Sequence, residues 1–255
     1  MPIRRRRESS TGIYHVIVKG INNERIFNQQ REKIYLKKII LKHLEVFEVE
    51  VYSYCIMSNH AHFMIWAEIQ VLSSFMAIVL SEYANYYNFK HHRNGHVFQN
   101  RFKSECIENE KYFWMCLRYI HLNPVKAGMV KKAARYKYSS MGEYLVDEPV
   151  IIHEKALAMS KKSFLDFDAF EKFHNERETE VFEDVADEKL LQEKKIALEI
   201  AEEMMSENNL ALLMQVFEEK AIRNEYIKKI KQNLKLSQRR AKELSDLIRN
   251  EVENK

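Results

Sequence analysis

The sequence predicts an α+β fold. An antiparallel sheet of the split βαβ kind, with helices on one face, is followed by a helical C-terminal region. Two observations predict it. All five glycines (12, 20, 95, 128, 142) and all three prolines (2, 124, 149) lie before residue 150, and the last 105 residues hold neither. Glycine and proline punctuate strands and turns, so the front half reads as mixed structure and the back half as long helices. Within the front half, short β-branched and aromatic runs alternate with longer runs of helical periodicity.

The elements follow in order. "IYHVIVKG", 13–20, is a β-branched and aromatic run closed by Gly20, and reads as a strand. Residues 28–48 place Ile34, Leu36, Ile39, Ile40, Leu41, Leu44 and Phe47 near helical spacing, with Asn28 as the expected N-cap. "VEVYSYCIM", 49–57, and "HAHFMIWA", 60–67, read as two strands joined by a tight turn at 58–59. A second helix is expected from about Val71 to Phe89. "VFQNRFKSECIE", 97–108, reads as a fourth strand or hairpin. A third helix starts near Asn109 and is expected to stop at Asn123-Pro124, because the residue before proline is pushed out of the α region. Strand, helix, strand, strand, helix, strand is the ferredoxin-like order, with one helix appended.

Residues 1–148 are thus expected to form one domain and residues 149–255 a helical region. In the latter, 173–193 is acidic and reads as a solvated face or linker, and 190–205 is amphipathic. The basic end carries Leu234, Leu236 and Leu244 at helical spacing, with Ser237 as an N-cap. A helical bundle or dimerisation arm is the favoured reading there, with a helix-turn-helix as the alternative.

Charge divides the chain in the same place. Residues 1–150 hold 22 Lys and Arg against 14 Asp and Glu, and the remainder holds 19 against 23. A basic front half suits an anionic partner such as nucleic acid. The three cysteines, Cys55, Cys106 and Cys116, show no C-x-x-C spacing, which excludes a disulfide framework and a zinc knuckle as expectations. "MPIRRRRESS" has no apolar run behind it, and no stretch of about 18 apolar residues occurs. A cytoplasmic protein with no membrane partner is expected.

The chemistry begins in "MSNHAHFMIW", 57–66. Residues i and i+2 of a strand face one side, about 6.6 Å apart. His60, His62 and Met64 therefore share one face, and Ala61, Phe63 and Ile65 the other. Two imidazoles so placed can grip one metal ion, although an isolated H-x-H is more often strand decoration. On the third helix, "KYFWMCLRYIHLNPVKAG", Tyr119 and Asn123 lie one turn apart on one face. Tyrosine can act as a covalent nucleophile. Phosphodiester attack needs charge relief that a divalent ion supplies. Two neutral imidazoles and an amide suit Mg²⁺ or Mn²⁺ by role, though histidine alone would also admit Zn²⁺, Ni²⁺ or Co²⁺.

These residues carry a resemblance. "NHAHF" resembles the His-hydrophobic-His (HUH) signature of single-stranded-DNA nucleases. "GHVFQNRFKS", 95–104, and "LRYIHLNPVKAGMV", 117–130, are similar to segments of the REP-associated tyrosine transposases, within the single-tyrosine, IS200-like HUH superfamily. "YHVIVKGINNERIF", 14–27, and "YKYSSMGEYL", 136–145, look like that family too. The match runs over about residues 10–146 with its motifs in order. Two departures are mild: Asn100 stands where glycine is frequent, and Tyr138 where tryptophan is frequent.

The resemblance implies that residues 1–148 are an HUH transposase domain. His60 and His62 would be metal ligands, Tyr119 the nucleophile and Asn123 the third ligand, with Mg²⁺ or Mn²⁺ as cofactor. It further implies cleavage of single-stranded DNA at hairpins, through a 5′-phosphotyrosine and a free 3′-hydroxyl, by a monomer or a homodimer. His121, about 200° around the helix from Tyr119, reads as a packing or DNA-backbone residue. Tyr83, Tyr86, Tyr87 and Tyr112 are rival tyrosines. For DNA contact, the sequence offers Arg4, Arg5, Arg6 and Arg7 as a basic arm, with a solvated tail as the equal alternative, Arg118 beside the tyrosine, and Gln99, Arg101 and Lys103 alternating along the fourth strand. Phe98 and Phe102 fall on the opposite parity and read as core. A nucleic-acid-binding module without catalysis, and a metal phosphodiesterase that uses water, are the competing functions.

Overall fold

The structure, a computed structural model, describes residues 6–175, 186–234 and 236–253. It divides into two compact units, Met1–Arg177 and Glu178–Lys255. In the first, the elements are β1 (Ile13–Lys19), α1 (Gln30–Leu44), β2 (Glu50–Ile56), β3 (His60–Trp66), α2 (Ile69–Lys90), β4 (Lys103–Cys106) and α3 (Glu110–Lys126). The strands form one antiparallel sheet in the order β2-β3-β1-β4, the ferredoxin-like order that the sequence predicts.

Alternation of side chains gives this sheet two faces. Val16, Val18, Tyr54, Ile56, Ala61, Phe63 and Ile65 pack on one side against Leu36, Ile39 and Ile40 of α1 and Leu72, Phe75, Val79 and Tyr83 of α2. The other face carries His15, Ser53, Cys55, His60, His62 and Met64, and α3 packs across it on β2 and β3, so helices cover both faces of the sheet rather than the one expected. A β-bulge decides part of this. Val51 pairs with Ile65 but Ser53 pairs with Met64, so Tyr52 is the extra residue. The bulge shifts the parity of β2, so that Ser53 and Cys55 face α3 instead of the apolar core.

Gly20 closes β1 where only glycine fits. A Cβ there would meet the Glu24 carbonyl oxygen at 2.4 Å, and its N–H donates to the Asn59 carbonyl at 2.8 Å. That bond pins the end of β1 to the β2–β3 turn, beside His60.

Four further expectations are corrected. The N-cap of α1 is Gln29, not Asn28; the Gln29 N–H donates to the Glu32 carboxylate at 2.6 Å, the return half of a capping box. Helix α3 runs past Pro124 to Lys126. Proline falls in the last turn, where it costs a single backbone bond. A Schellman ending with Gly128 at φ +68° then satisfies the carbonyls: Gly128 N–H donates to Val125 and Met129 N–H to Pro124. The fourth strand is only Lys103–Cys106, joined upstream by one bridge between Gly20 and Phe98, so Arg101 lies in a bend before the strand.

The fourth correction concerns the domain boundary. Residues 149–177 belong to the first unit, so the division falls after 177 rather than after 148. Burial explains this. Ile151, Ile152 and Leu157 complete the sheet core, and α4 (Glu154–Ser163) and α5 (Phe167–Asn175) follow them. The Glu143 carboxylate accepts the backbone N–H groups of Val150, Ile151 and Ile152 and the Tyr54 hydroxyl, while His153 N–H donates to the Val51 carbonyl.

In the second unit, α6 (Ala186–Glu207), α7 (Gln215–Glu218), α8 (Lys220–Asn233) and α9 (Gln238–Glu253) form a small bundle around Ala197, Met204, Phe217, Tyr226, Ile230 and Leu244. Ser237 caps α9 as expected, its Oγ accepting from Arg240 N–H at 3.2 Å. Most of the acidic stretch at 173–193 lies outside the described residues or has only its backbone described. Among the described residues no helix is long and apolar enough to cross a membrane.

Glu143→Ala would leave three backbone N–H donors, two of them buried, without their acceptor. It is expected to lower the stability of the first unit by ~3 kcal/mol, read from urea unfolding monitored at the first-unit aromatics.

Candidate active site

The site lies where α3 crosses the polar face of the sheet. β3 sets His60 and His62 on that face, and their rings meet edge to face with centroids 4.8 Å apart. Tyr119 comes from the middle of α3, is nearly fully buried, and stands edge-on to His62 at 5.6 Å. All three side chains belong to the same chain. Asn123 lies one turn on, also buried, and its Nδ2 donates to the Tyr119 carbonyl at 3.0 Å. That donation assigns Oδ1 as the acceptor end of the amide. Lys126 brings its ammonium to 4.5 Å from the Tyr119 ring centroid.

Each histidine has a partner at Nδ1. His60 Nδ1 meets Asn59 Oδ1 at 2.7 Å, and His62 Nδ1 meets Nε2 of His15 at 3.2 Å. Sequence reasoning missed both partners. His15 left a signal, being the polar residue inside the β1 run "IYHVIVK", on a strand that the split βαβ order places beside β3. Among the described residues no three His, Cys, Asp or Glu side chains gather into a metal cluster. A cation here would therefore draw on the two imidazoles and the Asn123 amide oxygen, a neutral set that leaves positions open for phosphate oxygens.

His121 points away from Tyr119, as its place on the helix requires. It is fully buried, with Nε2 at 2.8 Å from Ser140 Oγ and 3.2 Å from Ser53 Oγ, and Nδ1 at 2.9 Å from His174 Nε2. His174 Nδ1 donates to the Phe170 carbonyl at 2.7 Å. This chain of bonds fastens α3 to β2 on one side and α5 on the other. Burial holds the His121 pKa well below its ordinary value, with His174 adding to the shift. Burial also lowers His174, to about 4. Three of the rival tyrosines, those on α2, are engaged elsewhere. Tyr83 donates to the Ile26 carbonyl in the core, and burial raises its pKa. Tyr86 stacks on Tyr35 at 3.7 Å and Tyr87 lies on His91 at 4.2 Å.

The expected DNA contacts divide. Gln99, Arg101 and Lys103 are exposed, Phe102 is buried and Phe98 half-buried, although residues 99–102 precede the strand and do not follow its alternation. Arg6 lies over the Phe102 ring at 3.8 Å and donates to the Phe102 carbonyl. Its pKa is lowered by burial and then by the neighbouring charge of Arg101, which places these two cations near one another. The Arg7 side chain is 80% exposed beside Glu108. Arg4 and Arg5 lie outside the described residues. Arg118 is a correction. It is buried, donates to the Phe173 carbonyl at 3.3 Å and stacks on the Phe173 ring, so it holds α5 rather than facing DNA.

Residues 8–123 match the family described as "Transposase IS200 like". The transposase match contains His60, His62 and Tyr119 and ends on Asn123. Among solved structures, the chain is similar to one described as "Structure of the REP associates tyrosine transposase bound to a REP hairpin", at 20% identity and a TM-score of 0.48, covering 60% of this chain and 92% of that one. No curated protein matches the sequence.

Neutral, buried His174 gives the first unit an acid sensitivity. Its pKa of about 4 when folded lies below the ordinary 6.5, so this stability is complete above pH 6.5 and is lost as pH falls through the window towards 4. The loss is expected to reach ~3 kcal/mol. Urea unfolding between pH 7 and 4 should show it, and His174→Gln should flatten that part of the profile.

Proposed function

We propose that the first unit is a metal-dependent endonuclease and strand transferase for single-stranded, hairpin-containing DNA, of the REP-associated branch, with Tyr119 as nucleophile. The observation that carries this reading is the edge-on contact of Tyr119 with His62 inside one chain. It brings a side chain able to form a phosphoester next to the H-x-H pair.

The residues fit a divalent ion. His60, His62 and the Asn123 amide oxygen would hold it, and the two Nδ1 partners orient the imidazoles from behind. A bound Mg²⁺ or Mn²⁺ supplies charge neutralisation at the non-bridging and leaving oxygens of the scissile phosphate. Tyr119 loses its phenolic proton as Oη bonds to phosphorus. The bond from phosphorus to the 3′ oxygen breaks, and that oxygen takes up a proton. A 5′-phosphotyrosine and a free 3′-hydroxyl result, and attack by a 3′-hydroxyl on the phosphotyrosine rejoins strands without an outside energy source. Tyr119 acts in cis, so one chain completes one site. Arg6, Arg101, Lys103 and Gln99 supply phosphate contacts along the strand, which give affinity and salt dependence rather than sequence choice.

Covalent capture tests this. The full chain, Mn²⁺ and a 3′-labelled single-stranded hairpin DNA should give an adduct that survives denaturing electrophoresis. Tyr119→Phe should abolish the adduct and keep DNA binding, and His62→Ala or a chelator should cut cleavage by about a hundredfold or more. Cleavage without an adduct would make Tyr119 structural. Binding without cleavage would leave a DNA-binding module.

A further inference from the structure

We propose that His15 is a positioning residue that fixes the tautomer of His62, so that His62 presents a bare Nε2 to a cation. The proposal rests on the metal reading above and extends it to a residue outside the H-x-H motif.

Register places His15 there. On β1, His15 pairs with Met64 and Ile17 pairs with His62, so His15 sits diagonally across from His62 on the same sheet face. His15 is fully buried. Its ring stacks on His62 with centroids 5.4 Å apart and planes 27° apart, and stands edge-on to Tyr119 at 6.0 Å. The link between the rings is the 3.2 Å contact from His15 Nε2 to His62 Nδ1.

A neutral imidazole carries one proton on two nitrogens. A proton on His62 Nε2 would exclude a cation from that nitrogen. A proton on Nδ1, donated to His15, leaves Nε2 as a ligand. The neighbouring ligand shows the same arrangement. His60 Nδ1 faces the Asn59 amide oxygen, which can only accept, so the His60 proton is set at Nδ1. His15 can donate or accept, and for the pair to ligate it must accept through Nε2 and keep its own proton at Nδ1. Free imidazole side chains favour the Nε2–H form. His15 and Asn59 therefore reverse that preference at both ligands before any cation arrives. Outer partners of this kind commonly tune affinity as well as orientation.

The test uses the full chain, labelled with ¹⁵N-histidine and free of metal. Long-range ¹H–¹⁵N correlation should show His62 protonated at Nδ1. His15→Phe keeps a ring in the stack and removes the acceptor; it should shift His62 to the Nε2–H form and weaken Mn²⁺ binding, read by electron paramagnetic resonance, by ~10–100-fold. His15→Gln restores an acceptor oxygen and should recover most of that loss. A thermal melt of each variant separates these effects from unfolding. His62 found as Nε2–H in the wild-type protein, or a folded His15→Phe protein that binds Mn²⁺ as tightly as wild type, would overturn the proposal. Should the wild type take up no Mn²⁺ at all, the metal reading fails, and the His62 tautomer alone then decides the role of His15.

Discussion

Helix α3 packs on a sheet face that is polar rather than apolar, and the arrangement of the site depends on how that face is satisfied. Buried polar atoms are costly unless they are hydrogen-bonded. Ser53, His62 and His15 on the strands, and His121 on the helix, are all buried. Their bonds to one another, to Ser140 and to His174 make the burial tolerable. Because hydrogen bonds are directional, the same set of bonds fixes the rotation of α3. Tyr119 then faces the histidines of β3, and His121, two residues on, faces the other way.

Two layers of support meet there. On the far side, α1 and α2 bury the apolar residues of β1 and β3 and make the sheet rigid. On the near side, α5 holds α3 through His174 and through Arg118, whose guanidinium reaches the Phe173 carbonyl. The segment after residue 148 is thus part of the scaffold of the site. Glu143, gathering three consecutive backbone N–H groups, is what returns the chain to the sheet.

Much of this was legible in the sequence. The strand and helix order came from periodicity, and the sheet order agrees with it. H-x-H in a strand and Tyr119 with Asn123 one turn apart followed from the two side-chain repeats. The β2 bulge was not legible, because a bulge is a two-against-one pairing and needs its partner strand. Arg118 was misread because a cation on an amphipathic helix looks the same whether it meets solvent or another helix's carbonyl. The end of α3 was misread for a different reason. The rule about residues before proline is local, and it lost to a Schellman ending that satisfies the last turn.

The sequence by itself determined which residues share a face, since the periods of strand and helix are fixed by backbone geometry. It determined the fold class and the chemical type of the donors. Only the tertiary structure decided that the two faces meet within one chain, that His15 stands behind His62, and that the first unit extends to residue 177. Those outcomes rest on register, on a bulge and on hydrogen bonds between residues far apart in the chain. Each depends on the partner's position in space, which no local period encodes.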